Sequence, residues 1–301
     1  MAETKSWKGN TGGGVVGQHG LLLLFKWLDV RICYGVMALV VPFYMLFSFR
    51  NYKTIYRYFR QQFGYSPGKA FVGAYKNHYR FGQIILDRFA VYAGKRHFFD
   101  VEIEGNEHFL RLQKQEKGGV MVSSHIGNYE LCGYLLASDK KRINALVYAG
   151  ETETVKRNRE AILGGHNVSM IPVLPDMSHL FKLNQALGAG EVISMPADRL
   201  FGSKKSVTCR LLNGTASFPF GAFTLAMAHE VELLAVFVMK ASAKRYKVYV
   251  RPIRLDHRAT DGATKQERTT AFVQAYVNEI EKILRQYPEQ WFNFYPFWNN
   301  N

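Results

Sequence analysis

The chain has 301 residues, 48% of them hydrophobic and 21% charged, which supports a packed core and excludes a disordered chain. Its formal net charge of +15 calls for an anionic counterpart: nucleic acid, a membrane surface or an acidic substrate. The three cysteines, Cys33, Cys132 and Cys209, are widely spaced and form no CxxC pair or Cys/His cluster, so they read as reduced thiols and no metal is expected.

Residues 1–20 are polar and glycine-rich, unlike a signal peptide. An apolar stretch, Leu21–Phe47, comes next. It is interrupted by Lys26, Asp29 and Arg31, but Ile32–Phe49 carries no charge over 18 residues, the lower limit for crossing a bilayer. This reads as a membrane anchor, either a short span or a helix embedded from one side. The alternative is a buried core helix. Residues 50–86 then carry Arg50, Lys53, Arg57, Arg60, Lys69, Lys76 and Arg80 among many aromatics, with no Asp or Glu. Next to an apolar run this pattern predicts a lipid-headgroup surface rather than a nucleic-acid site, and it favours the cytoplasmic side for the remainder of the chain. The expected organisation is a polar N-terminus (1–20), a membrane-anchoring and basic/aromatic helical segment (21–90) and an α/β domain (91–301).

Beyond about residue 100, short apolar runs alternate with helical patterns. Strands are predicted at Val120–Ser123, Asn144–Tyr148, Val168–Pro172, Val192–Met195, Val207–Leu212 and Leu233–Met239, with Tyr246–Arg251 alternating like an edge strand. Helices are predicted over Asn128–Ala137, Thr152–Leu163, Ser178–Leu187, Phe223–His229 and Thr264–Arg285. Such alternation predicts an α/β fold with a mainly parallel sheet flanked by helices.

Two glycine motifs mislead. Gly12-x-Gly14-x-x-Gly17 follows no strand, and Gly64–Ala70 is one residue short of a P-loop and lacks the hydroxyl residue after Lys69. No GxSxG nucleophile elbow or HExxH metal pair is present. The informative segment is Val120–Glu130, VMVSSHIGNYE. His125 follows a buried strand, and sites in parallel sheets lie beyond the carboxyl ends of strands. Gly127 allows a tight turn behind it. A carboxylate on the next helix, Glu130, can hold one ring nitrogen protonated and leave the other to accept a proton from a hydroxyl. The alternative is a loop histidine bonded to backbone. Asp198 and Arg199 also follow a strand, where a site is expected, and the alternative is an ion pair that holds a loop.

The HIGNYE pattern resembles the HxxxxD/E signature of the lysophospholipid acyltransferase superfamily, and within it the bacterial lipid A late-acyltransferase type. Met195–Gly202, Asn213–Ala226 and Pro288–Trp298 are similar, in order, to three further family segments. The resemblance implies a membrane-associated enzyme on the cytoplasmic face of the bacterial inner membrane. It would move a fatty acyl chain from a thioester, of acyl carrier protein or coenzyme A, to a hydroxyl of a lipid or glycolipid. It implies His125 as base, Glu130 as its partner, Asp198 and Arg199 as acceptor-side or structural residues, and no bound cofactor. The sequence departs from the pattern in lacking an EGTR-type arginine at Asn213–Ala216 and in the uncertain register of Arg157, which leaves the acceptor open. N-acyl transfer to an amine-bearing lipid, or a non-catalytic basic binding protein, are the competing readings.

Overall fold

The computed structural model describes residues 29–132, 136, 140–148, 167–174, 176–200, 205–255 and 261–299. The polar N-terminus, the lead-in to the apolar stretch, the predicted helix Thr152–Leu163 with Arg157, and Gly202 lie outside them.

Three helices open the described chain. Helix α1 (Val30–Phe47) begins at Asp29, whose side chain accepts the N–H of Arg31 at 2.7 Å. It is long and apolar enough to cross a membrane, and only 28% of it is buried. Cys33, Tyr34, Val41 and Met45 face inward, while Ile32, Val36, Leu39, Phe43 and Phe47 face out. Helix α2 (Phe49–Gln62) and helix α3 (Pro67–Tyr92) divide the basic, aromatic segment. The break falls where Gly64 takes a left-handed conformation and Ser66 caps α3, with Pro67 in the first turn.

Strand β1 (Asp100–Glu104) and helix α4 (Asn106–Lys114) lead to β2 (Gly119–Ser123), β3 (Ile143–Tyr148) and β4 (Val168–Val173). Helix α5 (Ser178–Gly188) precedes β5 (Val192–Pro196), and β6 (Val207–Leu211) and β7 (Gly214–Phe218) come after it. Helix α6 (Gly221–Ala228), strands β8 (Glu232–Lys240) and β9 (Arg245–Ile253), and helix α7 (Lys265–Gln286) complete the order. Thr264 and Glu267 form a reciprocal capping box at the start of α7.

Seven strands form one sheet in the order β1-β9-β8-β2-β5-β3-β4. Every neighbouring pair is parallel except β8 with β9. The predicted fold class is therefore found: a mainly parallel sheet flanked by helices. Residues of β2 and β8 are buried on both faces, as a covered parallel sheet requires. Val41 and Met45 of α1, and Ile55 and Phe59 of α2, belong to the same apolar core as Val120, Ile193 and Phe237 of the sheet.

Two expectations are corrected. The segment Tyr246–Arg251 is no edge strand, because β1 pairs outside it. Its alternation reflects an antiparallel partner on one side and packing against α7. The predicted strand at Val207–Leu212 forms, but in a separate hairpin with β7. The helix expected over Asn128–Ala137 is described only at its start, a 3-10 turn at Tyr129–Leu131 leading into helical Cys132, and residues 133–135 and 137 lie outside the described residues.

A buried polar knot ties the helices to the sheet. Asp87 of α3 pairs with Lys240 at the end of β8 at 2.5 Å, and accepts the hydroxyls of Tyr34 from α1 and Tyr246 from β9. Lys240 also donates to Tyr34 and to the carbonyl of Ala243.

Candidate active site

Strands β2 and β5 are parallel neighbours, with Ser123 opposite Pro196. Their register alone brings His125 and Asp198 level with each other, each two residues beyond the paired ends. The carbonyl of Ser123 accepts the N–H of Ala197 and the hydroxyl of Tyr276, both at 2.8 Å, so the two chains run on together past the sheet edge. There, His125 Nδ1 lies 2.8 Å from Asp198 Oδ1, and the His125 backbone N–H donates to Oδ2 at 2.9 Å.

Asp198 is 1% exposed. Burial pushes its carboxyl pKa up, but the facing His125, the hydrogen bonds from it and neighbouring Arg199 outweigh this and bring it down to about 2. An ionised carboxylate only accepts hydrogen bonds. Nδ1 therefore carries a proton, and in the neutral ring the lone pair that can take another is on Nε2.

The loop after β2 explains how His125 is held. Gly127 adopts φ +59, and a Cβ there would stand 2.2 Å from the carbonyl oxygen of Val238. Only glycine fits such a left-handed, close approach. The next N–H, of Asn128, donates to that same carbonyl at 2.7 Å. Tyr129 then packs on the imidazole with ring centres 4.7 Å apart. Burial, followed by the charge of Glu130, pushes the Tyr129 phenol pKa up, so it remains neutral.

The expected pairing of Glu130 with His125 is corrected. The sharp turn at Gly127 and the 3-10 geometry after it carry Glu130 toward α3, where its carboxylate pairs with Arg88. The carboxylate on Nδ1 is that of Asp198. Asp198 is buried away from solvent, with His125 Nδ1 on its carboxylate. Arg199 is turned to the C-terminal tail: its Nε donates to Asn293 Oδ1 at 2.6 Å and its Nη2 to the carbonyl of Phe292 at 3.2 Å.

The tail covers the core through fully buried Trp291, and it also braces the loop residue by residue. Gln290 O accepts from Gly127 N at 2.9 Å, Trp291 bridges Ile126, and Phe292 N donates to His125 O at 3.1 Å. Nothing in the composition of Trp291–Trp298 signals these contacts, and Asn293 escaped notice among the aromatics around it. Among the described residues, no group of three or more His, Cys, Asp or Glu side chains is placed to hold a metal.

Comparison with known proteins bears on this geometry. The lipid A biosynthesis palmitoleoyltransferase of Escherichia coli K12 and the lipid A biosynthesis acyltransferase of Shigella flexneri are each 26% identical over 215 residues, or 65% of this chain. The chain spans 60% of the length of each of these relatives. The crystal structure of the 1-acyl-sn-glycerophosphate acyltransferase PlsC from Thermotoga maritima aligns with a TM-score of 0.39 at 14% identity, covering 87% of this chain and 99% of that one. Residues 76–300, which hold the whole sheet, the His125 loop and the tail that braces it, match the family model for bacterial lipid A biosynthesis acyltransferases, and the chain belongs to that family.

Proposed function

We propose that this protein transfers a fatty acyl group from a thioester of acyl carrier protein or coenzyme A to a hydroxyl of a lipid or glycolipid, with His125 as general base and Asp198 as the residue that orients it. The observation that carries this reading is the 2.8 Å contact between His125 Nδ1 and Asp198 beyond the ends of two parallel strands, in a chain of an acyltransferase family. The acceptor hydroxyl gives its proton to Nε2 as its oxygen attacks the thioester carbonyl. The tetrahedral intermediate collapses, the C–S bond breaks, and the imidazolium returns the proton to the leaving thiolate. Asp198 holds the tautomer and stabilises the imidazolium while it lasts. In this scheme Glu130 and Arg88 fix the loop against α3.

The exposed apolar side of α1, continued by Phe49, Phe71 and Val72, supports attachment to a membrane. The basic residues of α2 and α3 suit the anionic cytoplasmic leaflet of a bacterial inner membrane. The reading is tested with the full-length chain in detergent. Hexadecanoyl thioesters of coenzyme A and of acyl carrier protein are offered with a total lipid extract, and thiol release and lipid masses are followed. His125-dependent gain of one acyl group on a lipid is the expected result, and its position on oxygen or nitrogen separates ester from amide formation. Thiol release that does not depend on His125 overturns the mechanism.

A further inference from the structure

Four consecutive tail residues, Gln290 to Asn293, run beside the His125 loop, and the first three meet it through their backbones. Asn293 differs. Its side chain is 1% exposed and reaches both members of the Asp198–Arg199 pair. Its amide oxygen accepts from Arg199 Nε at 2.6 Å, and its amide nitrogen donates to Asp198 Oδ2 at 3.3 Å. Oδ2 is the oxygen that accepts the His125 backbone N–H, while Oδ1 takes Nδ1. Both of those donors belong to His125 itself, and the Asn293 amide adds a donor from a separate segment of the chain that resists rotation of the carboxylate about its Cβ–Cγ bond. Arg199 sets which way the amide faces, because a guanidinium offers only donors and so selects the amide oxygen. The amide NH2 is thereby aimed at Asp198.

We propose that Asn293 is a positioning residue for the acyl-transfer reaction: it uses Arg199 to orient its amide and locks the Asp198 carboxylate in the rotation that holds the His125 ring. The inference rests on the proposed role of His125. It makes the C-terminal tail part of the catalytic apparatus as well as a cover for the core. The rival account is that Asn293 only gives Arg199 an acceptor and so pins the tail.

Two substitutions in the full-length, detergent-solubilised chain separate these accounts. Asn293→Leu removes both polar contacts at similar volume. Asn293→Asp restores an acceptor for Arg199, a stronger one, but has no donor for Asp198 and sets a second carboxylate beside it. The readouts are kcat and KM with hexadecanoyl-coenzyme A and a total lipid extract, tail docking by the fluorescence of buried Trp291, and the Nδ1–H proton resonance of His125 in histidine-labelled protein, assigned by its loss in His125→Gln.

Positioning predicts that both variants lose kcat by about tenfold to a hundredfold, the usual effect of disturbing a group that orients a reactive side chain. KM for the thioester holds, Asn293→Asp keeps the tail docked, and the Nδ1–H signal shifts or broadens in both. If Asn293→Asp matches the wild type in its Nδ1–H signal, the inference is overturned, whatever its turnover. Should the wild type show no His125-dependent turnover, the acyl-transfer reading fails by itself and the resonance still decides the role of Asn293.

Discussion

Asp87 and Asp198 are both carboxylates sealed in the interior, each paired with a basic side chain, yet they do different work. Asp87 sits within α3 and is surrounded by donors from α1, β8 and β9: Tyr34, Lys240 and Tyr246. Burial pushes its pKa up, and Lys240 and the two hydroxyls offset this only in part. Asp198 has His125 and Asn293 at its oxygens and stands beyond the sheet edge, where its pKa falls to about 2. Burial and ion pairing are common to the two, so neither identifies a reactive site. What distinguishes Asp198 is a partner of a residue type that titrates near neutrality and a place at the carboxyl ends of adjacent parallel strands. The first pair joins layers of the fold; the second contains the proposed base.

The comparison breaks most sharply at the histidine. His125→Ala should lower acyl transfer by ~10²–10⁴-fold, the usual contribution of a general base, while thermal unfolding stays close to wild type. Steady-state kinetics and a melting curve on one preparation check this. A variant that keeps more than about a tenth of wild-type turnover would remove His125 from the mechanism.

Asp198→Asn should approach the loss seen for His125→Ala, because an amide can present a donor to Nδ1 and stabilise the wrong tautomer. Combining the two substitutions should add little, since residues acting as one unit are not additive. Glu130→Gln, which leaves the His125–Asp198 contact in place, should be clearly milder than Asp198→Asn. The reverse order would restore Glu130 as the partner of the base.

Asp87→Ala should act on the other axis. Removing one member of a buried pair strands the Lys240 charge and costs about 3–5 kcal/mol of stability, read from denaturant unfolding. The molecules that still fold should keep near-normal turnover. Loss of turnover with unchanged stability would erase the distinction drawn between the two carboxylates.

A smaller effect concerns acid. The folded pKa of Asp198 lies below its unfolded value, so its contribution is complete above about pH 4 and is lost as pH falls toward 2. Its size is about 2 kcal/mol. The stability gap between wild type and Asp198→Asn should narrow by that amount as pH falls from about 4 toward 2 in acid unfolding curves.

Much of this molecule could be read along the chain. Strand runs such as Val120–Ser123 and Leu233–Met239 are apolar because both faces of the sheet are covered. The helix ending at Gln286 declares its start through Thr264 and Glu267. Strand β1 escaped notice because DVEIE alternates two apolar residues with acids over only five positions at the sheet edge. The hairpin strand β7, GTASF, has too little apolar character to stand out.

The proposed base, His125, was legible as a candidate for a local reason: a buried strand followed by a turn-permitting glycine marks a sheet edge, and His is suited to proton transfer. Its partner was not. Glu130 is five residues away in sequence, and proximity along the chain suggested it, whereas the carboxylate on Nδ1 is that of Asp198 and Glu130 pairs with Arg88. Asp198 is 73 residues away and meets His125 only because β5 lies beside β2, with β3 and β4 placed beyond it. Strand order and register depend on how all the layers pack at once, so no local pattern encodes them. The same holds for Asn293, whose role exists only where the chain's last segment returns to the ends of β2 and β5. Periodicity and residue chemistry mark the strongly apolar elements and the side chain suited to moving a proton; long-range packing alone decides which carboxylate stands behind it.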